Sequence, residues 1–205
     1  MMTRRQVAPR FIVPGSYAQE MQVSDVPDHE VTTGSRRAFD GKLLRVRVDE
    51  VTLPSGRTSV REVVEHQGSV VIVPVTPDNQ VILIRQFRHA TGRILLELPA
   101  GLIDPGEEIL ATARRELREE TGYEAGSLRH VTTVFASPGY SEERISIVLA
   151  EGCRAGGHKP DPDEPIELVR YPIAAIPDLL VPGDTEIADA QAMIGLLWLL
   201  RLRGE

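Results

Sequence analysis

Residues 98–123 read LPAGLIDPGEEILATARRELREETGY, and the rest of the chain is organised around them. A glycine-containing turn runs into a helix with a charged face. Asp104-Pro105-Gly106-Glu107 carries a helix start signal: an acidic cap, proline at the first helical position, and a glutamate three residues after the cap. Leu110, Ala113 and Leu117 make the apolar stripe. Gly122 is the expected left-handed stop. Glu116, Glu119 and Glu120 stand at spacings of three and four, which place side chains on one helix face. Like charges at that spacing destabilise an isolated helix. A hard cation with oxygen ligands, Mg²⁺ or Mn²⁺, offsets them directly.

Outward from this stretch the pattern is strand-like. Leu44 to Val51 alternates apolar and polar residues, Leu53 to Arg57 is a turn, and Thr58 to His66 is the return strand of an antiparallel hairpin. Val70–Val75, Val81–Ile84 (continuing to His89) and Ile94–Leu98 precede the helix. Leu128–Phe135, Ile145–Leu149 and Ile166–Tyr171 follow it as strands. Pro172 to Leu180 predicts a short helix and Glu186 to Leu202 a longer one. Strands, helix, strands, helix is the order of an α+β chain, layered as an α/β/α sandwich. Residues 1–34 lack a period and are expected to form a flexible tail. Residues 35–68 then hold the hairpin, and 69–205 the main domain.

The totals exclude several classes. The chain has 205 residues and a net charge of −7, which argues against a general nucleic-acid binder. Its one cysteine, Cys153, excludes an internal disulfide and a cysteine-built zinc site, and it suits a reducing cytoplasm. The basic N-terminal stretch lacks the apolar core of a secretion signal. No apolar run approaches the roughly 18 residues of a membrane span, so no membrane partner is expected. The histidines form no i, i+4 pair, so a histidine metal site is not expected.

Gly101, Glu107 after five residues, and Arg115-Glu116-Leu117-Arg118-Glu119-Glu120-Thr121-Gly122-Tyr123 after seven more form a motif at fixed spacing. This 23-residue stretch resembles the box of the Nudix hydrolases. The resemblance implies that family's α/β/α sandwich around a mixed sheet. It also implies a divalent metal held by Glu116, Glu119, Glu120 and the Ala100 carbonyl. That metal neutralises a nucleoside diphosphate and activates the water that attacks phosphorus. Arg115 and Glu107 read instead as a salt bridge from loop to helix.

Pro138 lies fifteen residues after Tyr123, inside Ser-Pro-Gly-Tyr-Ser-Glu-Glu. At that offset it resembles the ADP-ribose pyrophosphatase subfamily. By that resemblance Ser137, Gly139 and Glu143 contact the terminal ribose. Arg88 contacts the substrate as a cationic partner of the diphosphate, Leu102 touches substrate through its backbone, and Arg61 and Glu62 reach the substrate from the hairpin. Arginine suits these roles because its fork binds phosphate bidentately. The acidic loop before the last strand supplies the catalytic base and a further metal ligand. Glu164 fits best, with Asp163 and Glu143 as alternatives. The resemblance further implies a homodimer in which the hairpin is exchanged between subunits.

The leading expectation is a Mg²⁺-dependent pyrophosphohydrolase that splits ADP-ribose into AMP and ribose 5-phosphate. The alternatives are a broader nucleoside diphosphate sugar hydrolase and a non-catalytic ADP-ribose sensor.

Overall fold

In the computed structural model the described residues are 29–157, 166–181, 183 and 186–204. The chain begins with β1 (Val31–Asp40), β2 (Arg45–Thr52) and β3 (Thr58–Glu65), an antiparallel three-stranded sheet. The expected hairpin is therefore present with an added strand. β1 starts inside the stretch expected to be tail, and the rest of that tail, residues 1–28, lies outside the described residues. Two register shifts, at Thr32/Gly34 and Arg37/Phe39, destroy the period-two pattern that would announce β1 in the sequence.

Next come β4 (Ser69–Val75), β5 (Gln80–Arg88), β6 (Arg93–Glu97), β7 (Ala100–Leu102) and α1 (Ile109–Thr121). They are followed by β8 (Tyr123–Glu124), β9 (Ser127–Phe135), β10 (Arg144–Glu151), β11 (Arg154–Ala155) and β12 (Glu167–Pro172). A turn of 3₁₀ helix leads into α2 (Ile176–Leu179), and α3 spans Ala190–Arg203. The main sheet runs β12-β5-β4-β10-β9. β10 lies parallel to β4 and the other pairs are antiparallel, so the sheet is mixed.

All seven residues of β4 are buried, because helices cover both faces. Successive side chains alternate between those faces. Val70 and Ile72 pack with Val148, Ala150 and the α1 residues Ala113 and Leu117. Val71, Val73 and Val75 pack with Ile147, Leu149 and the α3 residues Ala192, Leu196 and Leu199. This is the expected α/β/α sandwich. Truncating the fully buried Leu117 to alanine costs about 2–5 kcal/mol.

Two local expectations on α1 need correction. Leu110 is 40% exposed and outside the core; Ile109 takes the place expected for it, one residue earlier. The helix also starts at Ile109 instead of at Pro105, with Glu108 as cap residue. Gly106 has φ +83, a left-handed conformation that no right-handed helix contains. Asp104 to Glu107 is thus a separate turn, closed by the Glu107 N–H donating to the Asp104 carbonyl at 2.9 Å. The far end behaves as expected: Gly122 has φ 69 and donates to the Arg118 carbonyl.

Candidate active site

The position of the site follows from a split in the sheet. β4 and β5 pair only at Val75↔Val81. Beyond that point β5 pairs with β6, and the start of β4 pairs with β7. The opening holds a cavity of about 440 Å³. Ser69, Arg88, Glu97, Ala100, Gly101 and Leu102 line it from the strands, Glu143 from the loop before β10, and Asp189 and Gln191 from the start of α3.

The carboxylates of α1 stand directly behind this wall. Glu120, 9% exposed, accepts the Ala100 N–H at 3.0 Å. Glu116 packs on Gly101 so closely that a Cβ there would lie 2.0 Å from its carboxyl carbon. Gly101 thus makes the space that the carboxylate fills. Burial pushes the Glu116 carboxyl up from its ordinary range, partly opposed by Arg115. Glu119 is more open, with 45% of its side chain exposed.

Arg115 ties the group together. It pairs with Glu107 (2.9 Å), Glu116 (2.6 Å) and Glu119 (3.2 Å) and donates to the Leu102 carbonyl at 3.2 Å. The loop-to-helix bridge from Arg115 to Glu107 is therefore present, and the same single positive charge is shared with two of the candidate ligands. Its guanidinium holds the Glu107 carboxyl down at about 2. Among the described residues no three acidic, imidazole or thiol groups converge on a common point. The donor set nevertheless fits a hard divalent cation: oxygen atoms only, one carboxylate buried without full charge compensation, and a glycine leaving room beside it.

Arg88 pairs with Glu97 through Nε and Nη2, at 2.6–3.1 Å, which raises its already high pKa. Glu143 Oε1 accepts from Ser69 Oγ at 3.4 Å and lies 4.0 Å from His66 Nε2. Ser137 and Gly139 sit on the exposed turn before Glu143; the Ser137 carbonyl accepts the Tyr140 and Ser141 N–H groups. That turn borders a second cavity of about 610 Å³ lined by His66, Phe135, Pro138 and Arg144. The N-terminal sheet docks here. Val64 exchanges backbone hydrogen bonds with Tyr140 and Glu142, and Arg47 pairs with Glu142 at 2.7 Å.

The structure therefore brings Arg88, Ala100, Leu102 and Glu143 around one cavity, with Glu116 and Glu120 behind it. It does not bring Arg61 or Glu62 there. Arg61 pairs with Glu30 on the outside of the N-terminal sheet, and Glu62 is exposed on the same strand. Glu164 and Asp163 lie outside the described residues. Glu97, Ser69, Asp189 and Gln191 are cavity residues that the sequence reading passed over. Glu97 carried a signal, being a lone acid in the apolar run Ile94–Leu98.

Comparison with known proteins places the chain in a family. Residues 65–191 match the NUDIX domain, and residues 30–64 match the nucleoside diphosphate sugar hydrolase N-terminal domain. The chain is 36% identical over 171 residues to an ADP-ribose pyrophosphatase of Bacillus subtilis, covering 83% of this chain and 92% of that protein. It is 37% identical over 169 residues to an ADP-ribose pyrophosphatase of Mycobacterium tuberculosis, covering 81% of each. A crystal structure of an ADP compounds hydrolase superposes with a TM-score of 0.76 at 29% identity, over 86% of this chain and 97% of the other. Glycine turn, acidic helix and split mixed sheet together make this chain a member of the Nudix hydrolase family.

Proposed function

We propose that the chain is a Mg²⁺-dependent pyrophosphohydrolase that splits ADP-ribose into AMP and ribose 5-phosphate, with Mn²⁺ as the alternative metal. The observation that carries this reading is the Glu116–Glu120 pair set against the Ala100–Gly101 wall of a cavity that also holds Arg88 and Glu143. Both relatives named above are ADP-ribose pyrophosphatases. Glu116, Glu119, Glu120 and the Ala100 carbonyl would hold the metal. When bound, it supplies Lewis-acid charge neutralisation and a water of lowered pKa. The chain's own groups bind and orient. Arg88 offers guanidinium donors to phosphate oxygens, and Leu102 presents backbone beside them. Glu143, with Ser137 and Gly139 on the turn before it, takes the terminal ribose. Glu164 accepts the proton of the attacking water, with Asp163 or Glu143 as the substitute base.

We further place the enzyme in the cytoplasm as a homodimer built on residues 35–68. The N-terminal sheet leaves Val31, Phe39 and Val60 each more than half exposed, apolar side chains that a second copy would cover. Arg61 and Glu62, remote from their own cavity, would serve the partner's. Light scattering tests this; a fully active monomer excludes a shared site.

The test of the activity is AMP release from ADP-ribose by purified protein with Mg²⁺. No AMP, under conditions where a known ADP-ribose pyrophosphatase is active, refutes the proposal. The match of residues 30–64 favours a second reading, a broader nucleoside diphosphate sugar hydrolase. Specificity constants across ADP-, GDP- and UDP-sugars separate the two.

A further inference from the structure

Glu97 is a charged side chain almost entirely removed from water, with 5% of the residue exposed. A buried carboxylate is costly unless it is paired and hydrogen-bonded. Its partner is Arg88, one strand away. Ile84 stands opposite Glu97 and Arg93 opposite Arg88, so the Arg88 side chain runs back along the sheet to meet it. The three contacts are Nε to Oε1 at 3.0 Å, Nε to Oε2 at 3.1 Å and Nη2 to Oε2 at 2.6 Å. A guanidinium has five N–H donors in a fixed plane. These contacts grip one edge of it, and none uses Nη1. Arg88 keeps 44% of its side chain exposed and lines the same cavity as Glu97. The pair is thus buried at the acid and open at the base.

We propose that Glu97 is the positioning residue for the substrate's diphosphate: it clamps Arg88 by Nε and Nη2 and so presents the rest of the fork to a phosphate oxygen. This inference rests on the pyrophosphohydrolase reading. A flexible arginine loses rotamer freedom when it binds an anion; one already held loses less. Arg88 also feels the charges of Glu120 and Asp189, so its place lies between the metal helix and the start of α3.

The proposal predicts a sign. Glu97 is negative, and simple Coulomb repulsion says that removing it should tighten the binding of an anion. A clamp says the reverse. The probe is the α,β-methylene analogue of ADP-ribose with Mg²⁺, titrated calorimetrically into the full chain. Glu97→Gln is expected to weaken binding about tenfold and Arg88→Ala by a similar factor. The double variant should bind no worse than Arg88→Ala alone, because Glu97 acts only through Arg88. Unchanged or tighter binding in Glu97→Gln, or losses that multiply in the double variant, overturns the proposal. If Glu97→Gln does not fold, Glu97→Asp replaces it; it keeps the charge but shortens the reach, with the same expectation. Turnover of ADP-ribose by the wild type is measured alongside. Binding with the predicted cycle but without turnover refutes the hydrolase reading and leaves the clamp standing. Turnover with a failed cycle does the opposite. Neither binding nor turnover removes both.

Discussion

Gly101→Ala tests the wall between loop and helix. The φ of Gly101 lies outside the left-handed region, so alanine's backbone is tolerated there and only space is at issue. An added Cβ would meet the Glu116 carboxyl carbon at 2.0 Å, Oε1 at 2.1 Å and Cγ at 2.5 Å. Ordinary contact begins near 3.4 Å, so the carboxylate must retreat by about 1.4 Å. Turning only the tip of the side chain is not enough, because Cγ is also too close. Glu116 must change rotamer, and in doing so it leaves its 2.6 Å contact with Arg115. A displacement of about 1 Å in a catalytic constellation costs on the order of 10²-fold in rate, or about 2.7 kcal/mol in the barrier. Overpacking costs a further 1–3 kcal/mol or so of stability. The expected result is a kcat roughly a hundredfold lower, a higher Mg²⁺ requirement and a modestly lower Tm. Adding Glu116→Asp shortens the acid and should recover Tm but not kcat. A Gly101→Ala enzyme with wild-type kcat and wild-type Mg²⁺ half-saturation would refute the idea that this glycine exists to seat Glu116.

Other perturbations probe the remaining parts. Glu120→Gln should lower kcat by a factor on the order of 10²–10⁴ with folding nearly intact, since the amide oxygen can still accept the Ala100 N–H; steady-state kinetics beside a melting curve decides. Glu164→Gln should lower kcat with little change in Mg²⁺ binding, and an unaffected rate moves the base to Glu143 or Asp163. Glu107 is held at about 2 against an ordinary 4.5, so the unfolded chain binds its proton first as pH falls. The stability that Glu107 contributes is complete above about pH 4.5 and lost between there and about pH 2; urea midpoints against pH should show the loss in the wild type and less of it in Glu107→Gln. Burial pushes the Cys153 thiol up to about 11, so it should resist Ellman's reagent at pH 8 in the native protein and react at once in guanidinium chloride.

What could be read in the sequence is what is local. The face shared by Glu116, Glu119 and Glu120 follows from helical spacing within one turn, and the Gly122 stop follows from one residue's backbone freedom. Buried strands such as Val70–Val75 declare themselves by a continuous apolar run. At the helix start, the cap signal at Asp104 competes with Gly106. The structure resolves them for Gly106, whose φ is +83, and Glu107 pairs instead with Arg115, eight residues further on.

Pairings across strands are a different matter. Glu97 meets Arg88 only because the β5–β6 register sets their strands side by side, and the same register places Gln86 opposite Leu95 between them. A shift of one residue would turn each side chain to the other face and dissolve the pair. Arg61 makes the converse case. Its residue type suits phosphate, yet its strand belongs to a separate sheet and its guanidinium is engaged by Glu30. To reach a diphosphate, Arg61 must give up Glu30 and be presented to another cavity, which makes its role conditional on assembly. Arg88 needs no such exchange, because the acid that holds it is part of the cavity it serves. If both arginines bind substrate, dissociating the proposed dimer should remove the contribution of Arg61 and leave that of Arg88. If the chain forms the proposed dimer, the effect of Arg61→Ala should therefore fade on dilution below its dissociation constant, while that of Arg88→Ala persists.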